Sequence, residues 1–324
     1  MPFVVGSGDF QYEIVPDWGR LPYDVTMYDV AAVAVDGMDR VFVFNRGEHP
    51  MLVLDSDGRL LRSWGQGVFT RPHGVHLGHD GFVYCTDDGD HTVRKFSWEG
   101  DMRLELGIPR QAAPFMSGKP FHRCTHTALS PSGDIYVSDG YGNACIHRFT
   151  PDGRLLQTWG ESGSGPGQFY IPHNLCCDAE GWVYVADREN HRIQVFDGNG
   201  RFETQWNNLH RPCALCSCAQ TPAQFYVGEA GPAMRATLQF PNLGPRISIL
   251  DKRGGVLARL GDLSAGITPG SFVAPHGIAV DSAGSIYLAE VSFTGWPAVF
   301  PGQPCPRNLP TLHKLRRRRI PDER

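Results

Sequence analysis

Short apolar runs separated by polar turns recur along the whole chain. Four segments superpose with little adjustment, at residues 32–65, 74–107, 127–160 and 174–206. A fifth copy starts near Cys213, continues through FYVGEAG and ends at ISILDKRGGVLARLG. The sixth starts at Pro275 and runs through HGIAVDSAGSIYLAE to LHKLRR. Each copy opens with an apolar run and a tight turn of the D-x-x-G kind. An alternating run such as Ile135-Tyr136-Val137 follows, then a polar turn and a run such as Ile193-Gln194-Val195-Phe196. A D-G turn, for example Asp152-Gly153, leads into a last run that ends near Trp-Gly. Period-two alternation predicts strands with two distinct faces. The D-G and N-G dipeptides supply the backbone that tight hairpins need. No helical periodicity of useful length interrupts the pattern.

Four-stranded units returning roughly every 40 to 60 residues predict a β-propeller. The count gives an all-β fold, a six-bladed β-propeller with four antiparallel strands per blade. The blades are expected near 29–66, 71–108, 124–160, 171–207, 211–262 and 273–318 of one domain spanning 1–324. A strand over 10–16 is expected to complete the sixth blade and remove an exposed sheet edge. Insertions before Phe121, around Ala233–Gly244 and around Trp296–Pro310 predict long loops of the kind that build sites.

Composition agrees with this pattern. Glycine and proline number 38 and 25 of 324 residues, an excess that fits repeated turn punctuation. At 41% hydrophobic, the chain has enough apolar material for a core, which argues against general disorder. A net charge of −4 argues against nucleic acid or an anionic membrane as the main partner. The one basic run, Lys314 to Arg319, reads as a closing strand or solvated tail. No apolar stretch is long enough for a transmembrane helix, and Met1–Asp9 lacks the features of a signal peptide. Nine cysteines, an odd number, read as mostly reduced thiols of a cytoplasmic protein. The expected partner is a small-molecule substrate, and the expected state a monomer or weak oligomer.

Thirteen histidines change the picture. Aligned on the first-turn glycine, the six copies bring Asp29, His73, Thr125, His173, Cys213 and His276 into one column. The histidines occupy blades 2, 4 and 6, each after a proline, at spacings of 100 and 103 residues. Alternate blades of a six-fold ring are related by about 120°, so three imidazoles converge on the central axis. That is the geometry of a three-histidine metal site with an open fourth position, as in catalytic zinc. Iron, manganese, cobalt or copper stay open from the ligands alone.

A second column holds Asn45, Asp87, Asp139, Asp187, Glu229 and Glu290, read mostly as turn caps. Glu229 and His49 are weaker site candidates. The segment Phe121–His126 is rich in ligands. There His122 and His126 are candidates for substrate contact or support of the metal ligands, and Thr125 faces the channel. Cys213, Cys216 and Cys218 read as alternating strand thiols, with Cys213 lining the channel beside the metal.

The units resemble NHL repeats over nearly the whole chain. The stretches YVSDGYGNACIHRFTPDGRLLQTWGESGSGPGQFYIPHNL and YVADRENHRIQVF resemble the peptidyl-α-hydroxyglycine α-amidating lyase family. That family is a six-bladed propeller that splits an N-acyl hemiaminal into an amide and glyoxylate. The resemblance implies zinc held by His73, His173 and His276 in P-H motifs. It implies a catalytic tyrosine at Tyr141, in Ser138-Asp139-Gly140-Tyr141, and a catalytic arginine at Arg46, in Arg46-Gly47-Glu48-His49. Arg46 is then expected to favour a phenolate or to bind a substrate carboxylate.

The chain also departs from the family. Ala274 stands where the family has methionine, two residues before its last zinc histidine. Gly277 replaces an acidic calcium ligand, which argues against a structural calcium (Ca2+) here. Gly142, Tyr184 and Val195 replace half-cystines of secreted members. The expected activity is a zinc (Zn2+)-dependent carbon–nitrogen lyase acting on an N-acyl or N-substituted 2-hydroxyglycine. The alternatives are a zinc-dependent hydrolase of a small lactone, ester or amide, and a non-enzymatic NHL interaction module.

Overall fold

A computed structural model describes residues 2–19, 21–218 and 224–318. Blade 1 is an antiparallel sheet of Val30–Val35, Val41–Asn45, Met51–Leu54 and Leu60–Trp64, paired in that order. Four further sheets repeat the arrangement as blades 2 to 5. Blade 6 combines Pro275–Val280, Ile286–Glu290 and Leu312–Arg317 with the N-terminal strands Tyr12–Val15 and Val4–Val5. Tyr12 pairs with Arg317 and Val15 with Lys314, so both ends of the chain share one sheet. The basic run is therefore strand as far as Arg317, while Arg319 lies outside the described residues. The inner strands touch their neighbours all the way round, blade 6 against blade 1 included. The result is a closed six-bladed propeller.

Six apolar clusters fill the six blade interfaces. Phe42, Phe44, Trp64, Cys85 and Phe96 join blades 1 and 2. Tyr12, Tyr226, Phe272 and Leu288 join blades 5 and 6. The expectation of strands with two unlike faces holds poorly for the second strands. Val41–Asn45, Val83–Asp87, Ile135–Asp139, Val183–Asp187 and Ile286–Glu290 are buried at every position. Each blade is pressed between two others, so both faces of its middle strands lose water.

Strand register corrects one member of the first column. Val30 pairs with Asn45 as Pro72 pairs with Asp87, so the blade-1 counterpart of His73 is Ala31, not Asp29. The reason is local. Asp39, at φ 57°, takes the left-handed turn place that Gly81, at φ 81°, takes in blade 2. Aspartate tolerates that conformation, so aligning on Gly37 slips blade 1 by two residues.

Asp29 has another task. Its carboxylate accepts hydrogen bonds from Phe293 N and Thr294 N, at 2.9 and 3.3 Å, and from the Thr294 hydroxyl. It thereby caps a helix over Ser292–Val299 that the sequence pattern does not reveal. That helix contains Pro297 and carries its cap on a residue 264 positions away.

Candidate metal centre

Three of the six inner strands carry a histidine at a β-bulge. Pro72 pairs with Asp87 and Gly74 with Thr86, which leaves His73 as the extra residue. The same two-against-one step leaves His173 between Pro172 and Asn174, and His276 between Pro275 and Gly277. A bulge re-aims its side chain, and here it turns three imidazoles onto one axis. Their ring centroids lie 4.6, 4.7 and 4.9 Å apart, a nearly equilateral triangle. One donor nitrogen from each ring can be chosen so that all lie within 4.8 Å of one another.

The intervening blades orient these rings. His73 Nδ1 donates to the Thr125 carbonyl at 2.6 Å, His173 Nδ1 to Cys213 at 2.7 Å, and His276 Nδ1 to Ala31 at 2.6 Å. Ala31, Thr125 and Cys213 are the column members of blades 1, 3 and 5. A carbonyl only accepts, so the proton sits on Nδ1 and Nε2 keeps its lone pair as an acceptor or ligand. Burial pushes all three imidazoles well below the usual histidine range. Next in importance are His276 for His73, Arg188 for His173 and Arg46 for His276. The three rings are therefore neutral bases at ordinary pH.

Tyr141 reaches the same point from blade 3. Its hydroxyl lies 3.0 Å from His73 Nε2 and 3.1 Å from His173 Nε2. The Arg123 guanidinium sits over its ring at 4.6 Å, and Arg188 Nη1 is 3.5 Å from the hydroxyl. Arg46 donates from Nε to the Pro72 carbonyl at 3.0 Å, and its Nη1 lies 3.7 Å from Asp29. Among the described residues, Nη1 of Arg46 has no hydrogen-bond partner although it is buried. Burial, then Arg71, draws the Arg46 pKa down, against the pull of Asp88, Asp29 and Tyr141.

Other charges complete the rim. Arg71 and Arg123 share one Asp88 oxygen, and Arg188 and Arg211 share Glu189. With Arg46 and Asp29 that makes five guanidiniums against three carboxylates around the histidines, a surrounding that favours an anionic ligand.

Arg188 escapes the column reading, yet a signal for it exists. Both it and Arg46 directly follow the capping residue of the second column, after Asp187 and Asn45. Burial opposes the charge of Arg188, but Tyr141, Cys213 and Glu189 outweigh it and raise its pKa.

The remaining candidates divide. Cys213 Sγ lies 3.4 Å from His173 Nδ1, and burial pushes its thiol pKa up. The Thr125 hydroxyl meets Ser138 and the Pro172 carbonyl, at 2.8 Å each. His126 lines a tunnel cavity of about 210 Å³ with His76 and Asn174, and burial holds it at about 3. His122 donates from Nδ1 to Ala113 O at 2.6 Å, away from the histidine ring. His49 is engaged by Ser63 and Gln66, at 3.3 and 3.2 Å. Glu229 accepts from His210 N and pairs with Arg246 at 2.8 Å, so it caps a loop instead of joining the site. The other second-column members cap loops similarly; Asp87, for one, holds Thr70 N and Arg71 N at 2.6 and 2.9 Å.

The NHL repeat model matches residues 169–196. Human NHL repeat-containing protein 3 is 31% identical, over 86% of this chain and 81% of the human protein. Peptidyl-alpha-hydroxyglycine alpha-amidating lyase 1 of Drosophila melanogaster is 33% identical, over 76% of this chain and 47% of the fly protein. Peptidyl-glycine alpha-amidating monooxygenase B of Xenopus laevis is 28% identical over 87% of this chain, which spans 35% of the frog protein. Among solved structures, virginiamycin B lyase from Staphylococcus aureus has a TM-score of 0.55 at 14% identity, covering 82% of this chain and 78% of that one. A gluconolactonase from Xanthomonas campestris has a TM-score of 0.58 at 12% identity, covering 95% of this chain and 90% of that one. At such identities the structures share the fold alone.

Proposed function

The chain belongs to the NHL-repeat family, and on that premise we propose that it is a zinc-dependent lyase that splits an N-acyl-2-hydroxyglycine into an amide and glyoxylate. One observation carries the reading: three neutral imidazoles with unprotonated Nε2 atoms converge within 4.8 Å, beside a phenol hydroxyl and two partly buried arginines. The donor set fits a divalent transition metal. The ligand nitrogens are already deprotonated, and each ring is braced by a backbone carbonyl. Bound zinc would act as a Lewis acid on an oxygen of the substrate and offset developing negative charge.

This chain's own groups do the rest. Arg46, whose Nη1 faces Asp29 at 3.7 Å but makes no hydrogen bond among the described residues, offers its guanidinium to the substrate carboxylate, which anchors the reacting carbon beside the histidines. Tyr141, as its phenolate facing Arg188 and Arg123, takes the proton from the carbinol hydroxyl. The C–N bond then breaks, the hydroxyl carbon becomes the aldehyde of glyoxylate, and the electron pair leaves on the amide nitrogen. The Tyr141 phenol returns the proton it took to that nitrogen, so atoms and charge balance without consuming water. Arg188 and Arg123 hold positive charge against the phenol throughout the transfer. Relatives named as amidating lyases support the reading, whereas those named for NHL repeats alone keep an interaction module in play.

The test is direct. Purified protein supplied with zinc is incubated with N-benzoyl-2-hydroxyglycine in ¹⁸O water. The expected products are benzamide and glyoxylate in equal amounts, with no ¹⁸O in the benzamide. Benzoate carrying the label would mark a hydrolase. No turnover above the metal-free control would remove the lyase reading.

A further inference from the structure

Tyr141 projects from the turn between Ile135–Asp139 and Cys145–Phe149, and that turn does not stand alone. The segment 113–123 comes in from the blade 2 to blade 3 connection and is bonded to it on both sides. Before the tyrosine, the Asp139 carboxylate accepts His122 N at 3.0 Å through each oxygen. After it, Gly142 O accepts Met116 N at 2.8 Å, and Gly142 N donates to His122 O at 2.9 Å. Asn143, 1% exposed, ties the two strips together. Its Nδ2 donates to Asp139 at 2.8 Å and to Lys119 O at 3.0 Å, while its Oδ1 accepts Gly118 N at 3.1 Å. The His122 ring lies so close that a Cβ on Gly142 would stand 1.9 Å from its Cδ2.

These bonds have a common consequence. The phenol oxygen must sit near 3 Å from two histidines, and a bare five-residue turn leaves such a side chain several rotamers. We propose that Asn143, assisted by His122, is a positioning residue for Tyr141. It locks the 113–123 segment onto the tyrosine turn and so holds the hydroxyl between His73 and His173. The kinetic consequence rests on the lyase reading; the clamp itself does not.

Asn143→Ala removes three hydrogen bonds and touches no metal ligand. A misplacement of about 1 Å costs as much as roughly 10²-fold in rate. The variant is therefore expected to lose about 10- to 100-fold in kcat on N-benzoyl-2-hydroxyglycine, with KM within about threefold and zinc content unchanged. A residue that acts only through the phenol has nothing left to lose once the phenol is gone. The double variant Tyr141→Phe/Asn143→Ala is therefore expected to be no slower than Tyr141→Phe alone. Losses that multiply would overturn the proposal.

Hydrogen exchange supplies a second arm. Residues 139–145 and 113–122 should lose protection together, while Pro72–Leu77 and Pro172–Cys177 keep theirs. Unchanged exchange in the tyrosine turn would overturn the clamp even if the wild type proved inactive on hydroxyglycines. Inactivity of the wild type alone would remove the lyase reading and leave the exchange result to decide the clamp. If Asn143→Ala does not fold, His122→Ala carries the same two measurements, with a smaller loss expected.

Discussion

Replacing His173 by alanine is the perturbation whose consequences can be worked furthest from the structure. Two separate costs follow. In EDTA, the variant lacks the Nδ1–H that reaches Cys213 O at 2.7 Å, and the carbonyl stays buried without its partner. An unsatisfied buried acceptor costs about 1–3 kcal/mol. With zinc present, the wild type gains RT ln(1 + [L]/Kd), or about 2.7 kcal/mol at a hundredfold excess over Kd. The variant keeps two ligands and should gain almost none of this. In a large domain, 1 kcal/mol moves the unfolding midpoint by about 2 °C. Zinc should therefore raise the wild-type midpoint by about 5 °C and that of His173→Ala by less than about 1 °C. Calorimetry with and without zinc reads both costs, and plasma mass spectrometry reads the bound metal. His49→Ala is the control, because that ring is engaged by Ser63 and Gln66. It should keep the full zinc shift. A zinc shift of wild-type size in His173→Ala, or a full equivalent of metal retained by it, would refute the three-histidine centre.

The other predictions concern the proton transfer, its cations and acid stability. Tyr141→Phe should keep zinc and lose roughly 10²- to 10⁴-fold in kcat, the usual worth of a general base; unchanged turnover would remove Tyr141 from the chemistry. Arg188→Gln should keep the fold and the metal and lose roughly 10²-fold in kcat/KM, since it withdraws a largely buried positive charge from beside the reacting oxygen. An activity within threefold of wild type would sink that assignment. Arg46→Ala should act on KM for carboxylate substrates and spare zinc, a split that steady-state kinetics reads directly.

Acid should destabilise the metal-free protein. Burial, the largest cause in each case, holds His76 at about 4 and His126 at about 3, below the ordinary value of 6.5. Below pH 6.5 the unfolded chain takes up protons that the folded one refuses, so stability falls as pH falls. The loss is about 2 kcal/mol per group at pH 5. A urea midpoint that does not move between pH 7 and 5 would contradict the burial of these rings.

Much of this protein is written in local spacing. The six repeats, their turns and the proline-histidine pairs are each short-range features, and propeller geometry carries them to one axis almost automatically. That is why His73, His173 and His276 were legible in the chain as a convergent set. Tyr141 and Arg46 were legible only through resemblance, because a single tyrosine or arginine in a turn carries no periodic mark.

Tertiary structure decided what lies across blades. It put Ala31 in the place expected for Asp29, since Asp39 adopts a left-handed turn conformation that no spacing of glycines reveals. It gave Asp29 to the helix Ser292–Val299, whose cap comes from the far end of the chain. It also brought Arg188 to Tyr141 across 47 residues and locked Asn143 to a loop 24 residues earlier. The division has a physical cause. A turn or bulge is fixed by the residues that form it, so sequence determines it alone. A hydrogen bond between distant segments exists only after the ring has closed, and only the closed ring selects its partners.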